Sequence, residues 1–182
     1  MDRYKQNWTR LQKKVFRFLS MNVGKAVNQR NIAKSLKVSP TAVGKSLPFL
    51  EDLKLITINK EGNLNLKLIE LNQDSEDSIY FKKLENLRLI YVSGLIFDLK
   101  NTFSGSTIIL FGSYARGEDI FSSDIDIAII GCKEKGFNFY KKYEKLLERE
   151  IVINFYDSFK EIHKNLKENL FNGVLISGSI EL

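Results

Sequence analysis

The sequence predicts an α+β chain of two domains, and three observations carry that expectation. Residues 1–72 show three amphipathic helical stripes followed by two short strands, whereas residues 73–182 show one long helical stripe and then short apolar strands alternating with helices. Charge divides near the same place: residues 1–70 carry 14 Lys and Arg against 5 Asp and Glu, and residues 71–182 carry 14 against 17, within a net charge of +6. The third observation is the segment 110–130, LFGSYARGEDIFSSDIDIAII, which sets a Gly-Ser turn ahead of two alternate aspartates on an apolar strand. With 43% hydrophobic residues in 182, the chain has enough apolar material for a core in each part.

In the first part, Leu11, Val15, Phe16 and Leu19 recur at helical spacing and predict a helix that ends before Gly24. Asn28 is placed to cap a second, short helix carrying Ile32, Ala33 and Leu36, and residues 37–39 make a tight turn. Ser39 followed by Pro40 predicts a third helix, because the serine oxygen accepts an orphan amide and proline fits the first helical position. Val43, Leu47 and Leu50 form its buried stripe, and Thr41, Ala42, Lys45 and Ser46 its polar face. Pro48 removes a donor to the carbonyl of Gly44 and predicts a bend or an early end. Strands are expected over 55–58 and 64–68, joined by a turn over 59–63.

This order over residues 10–70 resembles the winged helix-turn-helix of prokaryotic transcription regulators. The resemblance implies DNA as a partner, with Ser39, Thr41, Lys45 and Ser46 presented to the major groove and to phosphates. The basic charge of this half agrees with a polyanionic partner, although such domains also serve as dimerisation modules or docking surfaces.

Residues 72–77 are polar and acidic and set the boundary between a domain at 1–72 and one at 73–182. Leu84, Leu87, Tyr91 and Leu95, widened by Ile90, Val92, Ile96 and Leu99, predict one long helix, buried on more than one side and offering a contact for a homodimer. Strands follow at 107–111, at the Asp-x-Asp segment and at 151–156, with helices over 137–147 and 158–170 and a last packing strand at 174–176.

The chemistry sits in 110–130. Gly112 and Ser113 end a buried strand and begin a helical turn near Tyr114, whose free amides suit a triphosphate. Asp124 and Asp126, separated by one residue on a strand, share one face, and two neighbouring carboxylates favour a hard cation such as Mg²⁺. Arg116 reads either as a phosphate contact or as an ion-pair partner of Glu118 or Asp119, and Ser123 as a turn residue. A lone Gly-Ser turn or a lone Asp-x-Asp is common; the two together between strands are far more specific.

Gly112, Ser113, Tyr114, Ala115, Arg116, Gly117 and Glu118, then Ser123, Asp124, Ile125 and Asp126, resemble the signature of the minimal nucleotidyltransferases of the DNA polymerase β superfamily. The resemblance implies Mg²⁺-dependent transfer of a nucleoside monophosphate, AMP from ATP foremost, to a hydroxyl of a protein or small molecule. Asp124 and Asp126 would be catalytic and metal-binding, and Gly112, Ser113 and Arg116 would bind the nucleotide. Some minimal enzymes of that family are antitoxins that adenylate a partner toxin, which makes a protein acceptor an expectation here. Active members add a third carboxylate on the strand beside the pair; the expected place carries Asn154, with Glu150 at the same strand parity. An amide cannot act as a base, so the alternative is a DNA-binding transcriptional regulator whose transferase-like domain senses nucleotide or a partner. A nucleic-acid end-modifying enzyme fits least, since 182 residues leave no room for primer-holding domains.

The single Cys132 excludes an intramolecular disulfide, and with the single His163 it argues against a Cys-His hydrolase and a zinc site. No opening apolar run predicts export or a membrane anchor, so the expected location is the cytoplasm.

Overall fold

The structure, a computed structural model, describes residues 7–61, 66–133 and 139–180. It divides into two compact units, Met1–Lys82 and Lys83–Leu182.

The first unit runs α1 (Arg10–Met21), β1 (Val27–Asn28), α2 (Gln29–Leu36), α3 (Pro40–Asp52), β2 (Ile56–Glu61) and β3 (Leu66–Leu71). Each helix start has a local cause. Thr9 and Gln12 form a capping box on α1, Asn28 accepts the amide of Asn31, and Ser39 accepts the amide of Ala42 ahead of Pro40. Lys37 adopts the left-handed conformation that ends α2 and turns the chain into α3. β2 and β3 form an antiparallel hairpin, and β1 adds to β3 in the order β1-β3-β2, a short third strand that the sequence pattern does not announce. Val15, Phe16, Leu19, Ile32, Val43, Leu47, Leu50 and Ile69 meet in one core. Three helices with this small sheet are the topology of a winged helix. The turn expected over 59–63 and the strand start at 64–65 fall partly outside the described residues.

Pro48 does not end α3 early, since the helix continues to Asp52. The proline is exposed, where water can meet the carbonyl that it leaves without a donor.

The second unit contains most of α4 (Glu76–Ser93), then α5 (Leu95–Thr102), β4 (Thr107–Phe111), α6 (Gly112–Arg116), β5 (Ile125–Ile130), α7 (Lys141–Leu147), β6 (Ile151–Tyr156), a 3-10 turn (Phe159–Glu161), α8 (Lys164–Phe171) and β7 (Val174–Ser177). The one long helix expected before the sheet is two. Gly94, at φ +87, stops α4, and the hydroxyl of Ser93 takes part in the break by donating to the carbonyl of Ile90 and accepting the amide of Leu95. The buried rows also differ from the expected stripe. Leu89, Ile90, Leu95, Ile96 and Leu99 are buried, while Leu84, Tyr91 and Val92 of the expected inner stripe are 61%, 55% and 67% exposed. The helix expected over 158–170 is likewise broken, into the 3-10 turn and α8; the start of that expected over 137–147 lies partly outside the described residues.

The sheet has the order β6-β5-β4-β7, with β5 parallel to β6 and the other pairs antiparallel. Ile109, Phe111, Ala128 and Ile130 face a core shared with Phe159, Ile162 and Leu170. Ile108, Leu110, Ile127 and Ile129 are buried on the alternate side.

Candidate functional site

The end of β4 and the starts of β5, β6 and β7 lie together at one end of the sheet, because β4 runs against β5 and β7 while β5 and β6 run alongside. At that end β4 passes directly into α6, so Gly112 and Ser113 begin a helix whose next two residues, Tyr114 and Ala115, are buried. Phe111 is paired with Asp126 across the strands, which sets the Gly-Ser turn beside the aspartate. Gly112 has φ +75, and a β-carbon built on it would collide with Oδ2 of Asp126 and lie 3.1 Å from its Cγ. The absence of a side chain at 112 is therefore what lets the Asp126 carboxylate rest against the turn.

Asp124 immediately precedes β5 and is exposed; Asp126 is half-buried. Burial chiefly, and next the charge of Asp124, push the Asp126 carboxyl above the ordinary carboxylate range, while the Arg116 guanidinium pulls it partly back. The two carboxylates are thus electrostatically coupled, and a cation between them relieves both the repulsion and the desolvation. Among the described residues no group of three or more His, Cys, Asp or Glu is assembled for a metal. Two carboxylates beside the Gly112 turn fit Mg²⁺, which commonly takes one or two protein carboxylates and completes its shell with phosphate oxygens and water.

Arg116 pairs with Glu118 at 2.7 Å, as the ion-pair reading expects, and also acts on Asp126 through space. Ser123 is a turn residue, its hydroxyl accepting the amide of Ile120 at 3.0 Å.

The strand register sets which residue stands beside the aspartates. Val152, not Asn154, is the partner of Asp126 on β6, and Asn154 is paired with Ala128. Asn154 therefore shares the face of the pair but stands one same-side step, about 6.6 Å, beyond it. The register is fixed where Ile125, between the two aspartates, donates its amide to the carbonyl of Glu150 at 2.8 Å. Glu150 itself is exposed.

On the first unit, Ser39, Thr41 and Lys45 are exposed at the start and outer face of α3. Ser46 is a correction to the expected DNA-facing set: it is 5% exposed, with its hydroxyl donating to the carbonyl of Ala42 at 3.1 Å. The helix turns it inward beside Leu47, a position that small size permits and that periodicity alone reads as polar surface.

Three residues near the site carry no mark in the sequence pattern: Asn86 on α4, Asp119 in the loop after α6, and Arg149 before β6, all buried. The one available signal is at Asn86, a polar residue on the row that buries Leu89 and Ile90.

A helix, a Gly-Ser turn and an Asp-x-Asp strand on a mixed four-stranded sheet define a nucleotidyltransferase domain. Comparison with known proteins agrees: residues 98–180 match the family described as Polymerase beta, Nucleotidyltransferase. A Methanocaldococcus jannaschii protein, putative protein adenylyltransferase MJ0604, is 35% identical over 85 residues, which make up 45% of this chain and 85% of that protein. The chain belongs to the polymerase β nucleotidyltransferase family. Among solved structures, a mutant of Lactococcus lactis ZitR is 24% identical with a TM-score of 0.42, covering 55% of this chain and 65% of that one, so the chain spans less than two thirds of it. Streptococcus pyogenes adhesin competence repressor is 20% identical with a TM-score of 0.42, covering 56% of this chain and 72% of that one. The winged-helix assignment rests on the topology of the first unit itself. No helix among the described residues is long and apolar enough to cross a membrane.

Proposed function

We propose that the chain transfers AMP from Mg²⁺-ATP to a hydroxyl on a partner protein, with residues 1–72 as a DNA-binding domain and residues 73–182 as the transferase domain with its leading helix. The observation that carries the reading is the Asp126 carboxylate seated against the side-chain-free Gly112, with Asp124 one alternate position away. This arrangement sets an anionic pair against the first turn of a helix, a combination suited to hold a metal-bound triphosphate.

In this reading Gly112 and Ser113 orient the β and γ phosphates, Arg116 adds positive charge beside them, and Asp124 and Asp126 hold Mg²⁺. The metal supplies neutralisation of the phosphate charge and of the leaving group. The acceptor oxygen bonds to the α-phosphorus, the bond to the bridging oxygen breaks, pyrophosphate departs and the hydroxyl proton passes to solvent. A protein acceptor is supported by the name of the 35% identical relative, and a toxin partner would be one such acceptor.

One observation favours a second reading. Val152 opposite Asp126 supplies no carboxylate, which suits a domain that binds nucleotide and signals its presence to a DNA-binding unit. In either reading Ser39, Thr41 and Lys45 contact DNA, and the exposed Leu84, Tyr91 and Val92 support a homodimer.

Calorimetric titration of the full chain with Mg²⁺-ATP, followed by transfer of α-labelled ATP to co-purified proteins, tests both. Binding with label transfer supports the transferase; binding without transfer supports the sensor; no Mg²⁺-dependent binding refutes the site.

A further inference from the structure

Asp119 is 1% exposed and belongs neither to the Gly-Ser turn nor to the carboxylate pair. A carboxylate this deeply buried is costly unless it is paired and hydrogen-bonded, so its surroundings are informative. Its Oδ1 accepts the amide of Asn86 at 2.7 Å, and its Oδ2 lies 3.8 Å from the Arg149 guanidinium. Asn86 and Arg149 are themselves 3% and 8% exposed.

Each partner leads to a different part of the nucleotide site. The same Asn86 Nδ2 also donates to the carbonyl of Tyr114 at 2.9 Å, and the Tyr114 hydroxyl donates back to the carbonyl of Asn86 at 3.4 Å. Tyr114 follows Ser113 directly, so this double link holds the Gly-Ser turn onto α4. The loop carrying Asp119 is tied to the same turn, since the amide of Glu118 donates to the carbonyl of Ser113 at 3.0 Å. On the other side, Arg149 precedes Glu150, whose carbonyl takes the amide of Ile125 between the two aspartates. The Arg149 guanidinium also donates to the carbonyl of Glu148 at 2.9 Å, which holds its head near the start of β6.

We infer that Asp119, with Asn86 and Arg149, is a positioning residue that fixes the separation between the Gly112-Ser113 turn and the Asp124-Asp126 pair. It touches no substrate; it acts through the backbone at 113–114 and at 125. A cation bridging phosphates on the turn to carboxylates on the strand tolerates little error in that separation, because Mg²⁺ demands near-ideal octahedral geometry. The ligand part of this inference rests on the nucleotide reading above.

The test uses the full chain with Asp119→Asn, which keeps shape and an acceptor for Asn86 while removing the charge facing Arg149, and with Asn86→Leu, which removes the donor to both Asp119 and Tyr114. Mg²⁺-ATP titration separates positioning from damage: a positioning residue changes Kd at unchanged stoichiometry, while partial unfolding lowers stoichiometry at unchanged Kd. The expected result is a Kd raised about 10-fold or more in each variant, the size typical of lost support behind a metal site. Amide hydrogen exchange without ligand supplies the second measurement, with exchange over 112–117 and 124–126 faster and exchange over 95–102 as in wild type. Kd within twofold of wild type together with unchanged exchange over 112–126 would overturn the inference, as would uniformly faster exchange across the unit. If wild type itself binds no Mg²⁺-ATP, the nucleotide reading fails, and the exchange pattern alone decides whether Asp119 holds the two segments in place.

Discussion

Replacing Gly112 with alanine tests the geometry at its tightest point. Two effects are superposed in Gly112→Ala, and the structure contains a control that separates them. The backbone at Gly112 has φ +75, and Gly105 has φ +85, but a β-carbon at 105 meets nothing within 4 Å, whereas one at 112 collides with Oδ2 of Asp126. Left-handed backbone costs a residue with a β-carbon about 1–2 kcal/mol, so both substitutions should destabilise by that amount. For a unit of about 100 residues each kcal/mol lowers the melting temperature by about 4–8 °C, which scanning calorimetry resolves. Only Gly112→Ala also displaces the carboxylate. The Asp126 side chain must leave the turn, because its Cγ stands 3.1 Å and its Cβ 3.4 Å from the new methyl. Mg²⁺-ATP titration should therefore give a Kd raised about 10-fold or more for Gly112→Ala, and one unchanged for Gly105→Ala. Equal nucleotide affinities in the two folded variants would refute the claim that the contact between Gly112 and Asp126 builds the site.

In metal-free protein the raised Asp126 carboxyl should make stability fall as pH rises from the ordinary value of 3.8 through its folded value, since the folded state holds the proton longer than the unfolded one. Asp126→Asn should flatten that fall in a melting-temperature series and raise stability at neutral pH, while Mg²⁺ affinity in wild type should climb over the same window as the carboxylate ionises. Lys45→Ala should weaken duplex DNA binding alike for all sequences and reduce the slope of log K against log salt by about one, measured by fluorescence anisotropy; Ser46→Ala should leave that slope unchanged, because its hydroxyl is spent on Ala42. Val152→Asp should raise label transfer if the domain is a transferase short of a third acid, and change only metal affinity if it is a sensor. Leu84→Glu with Tyr91→Glu should convert a homodimer to monomer in light scattering without lowering the melting temperature of the fold, since both side chains are more than half exposed; an unchanged mass would place the dimer contact elsewhere.

What the sequence makes legible follows from how local each cause is. Ser39-Pro40, Asn28 and the strands 107–111 and 151–156 are read correctly because a cap or a run of apolar residues acts on its immediate neighbours. The long helix is misread because its apolar residues continue through Gly94 and lie on more than one row, while the row that is buried in α4 carries the polar Lys82 and Asn86 beside Leu89 and Ile90. Ser46 is misread for a related reason, as a hydroxyl that bonds back to its own helix behaves like a small core residue. The neighbour of Asp126 on β6 is hard to read for a deeper one. A one-residue slip of β6 would turn its face over and the hydrophobic pattern would object, but Val152 and Asn154 are two residues apart and share a face, so the pattern accepts either beside Asp126. The choice is made by the hydrogen bond from Ile125 to Glu150, between segments 25 residues apart in sequence. A register of two residues thus decides whether an apolar or an amide side chain stands beside Asp126, and so whether transfer or nucleotide sensing is the chemistry to be tested first.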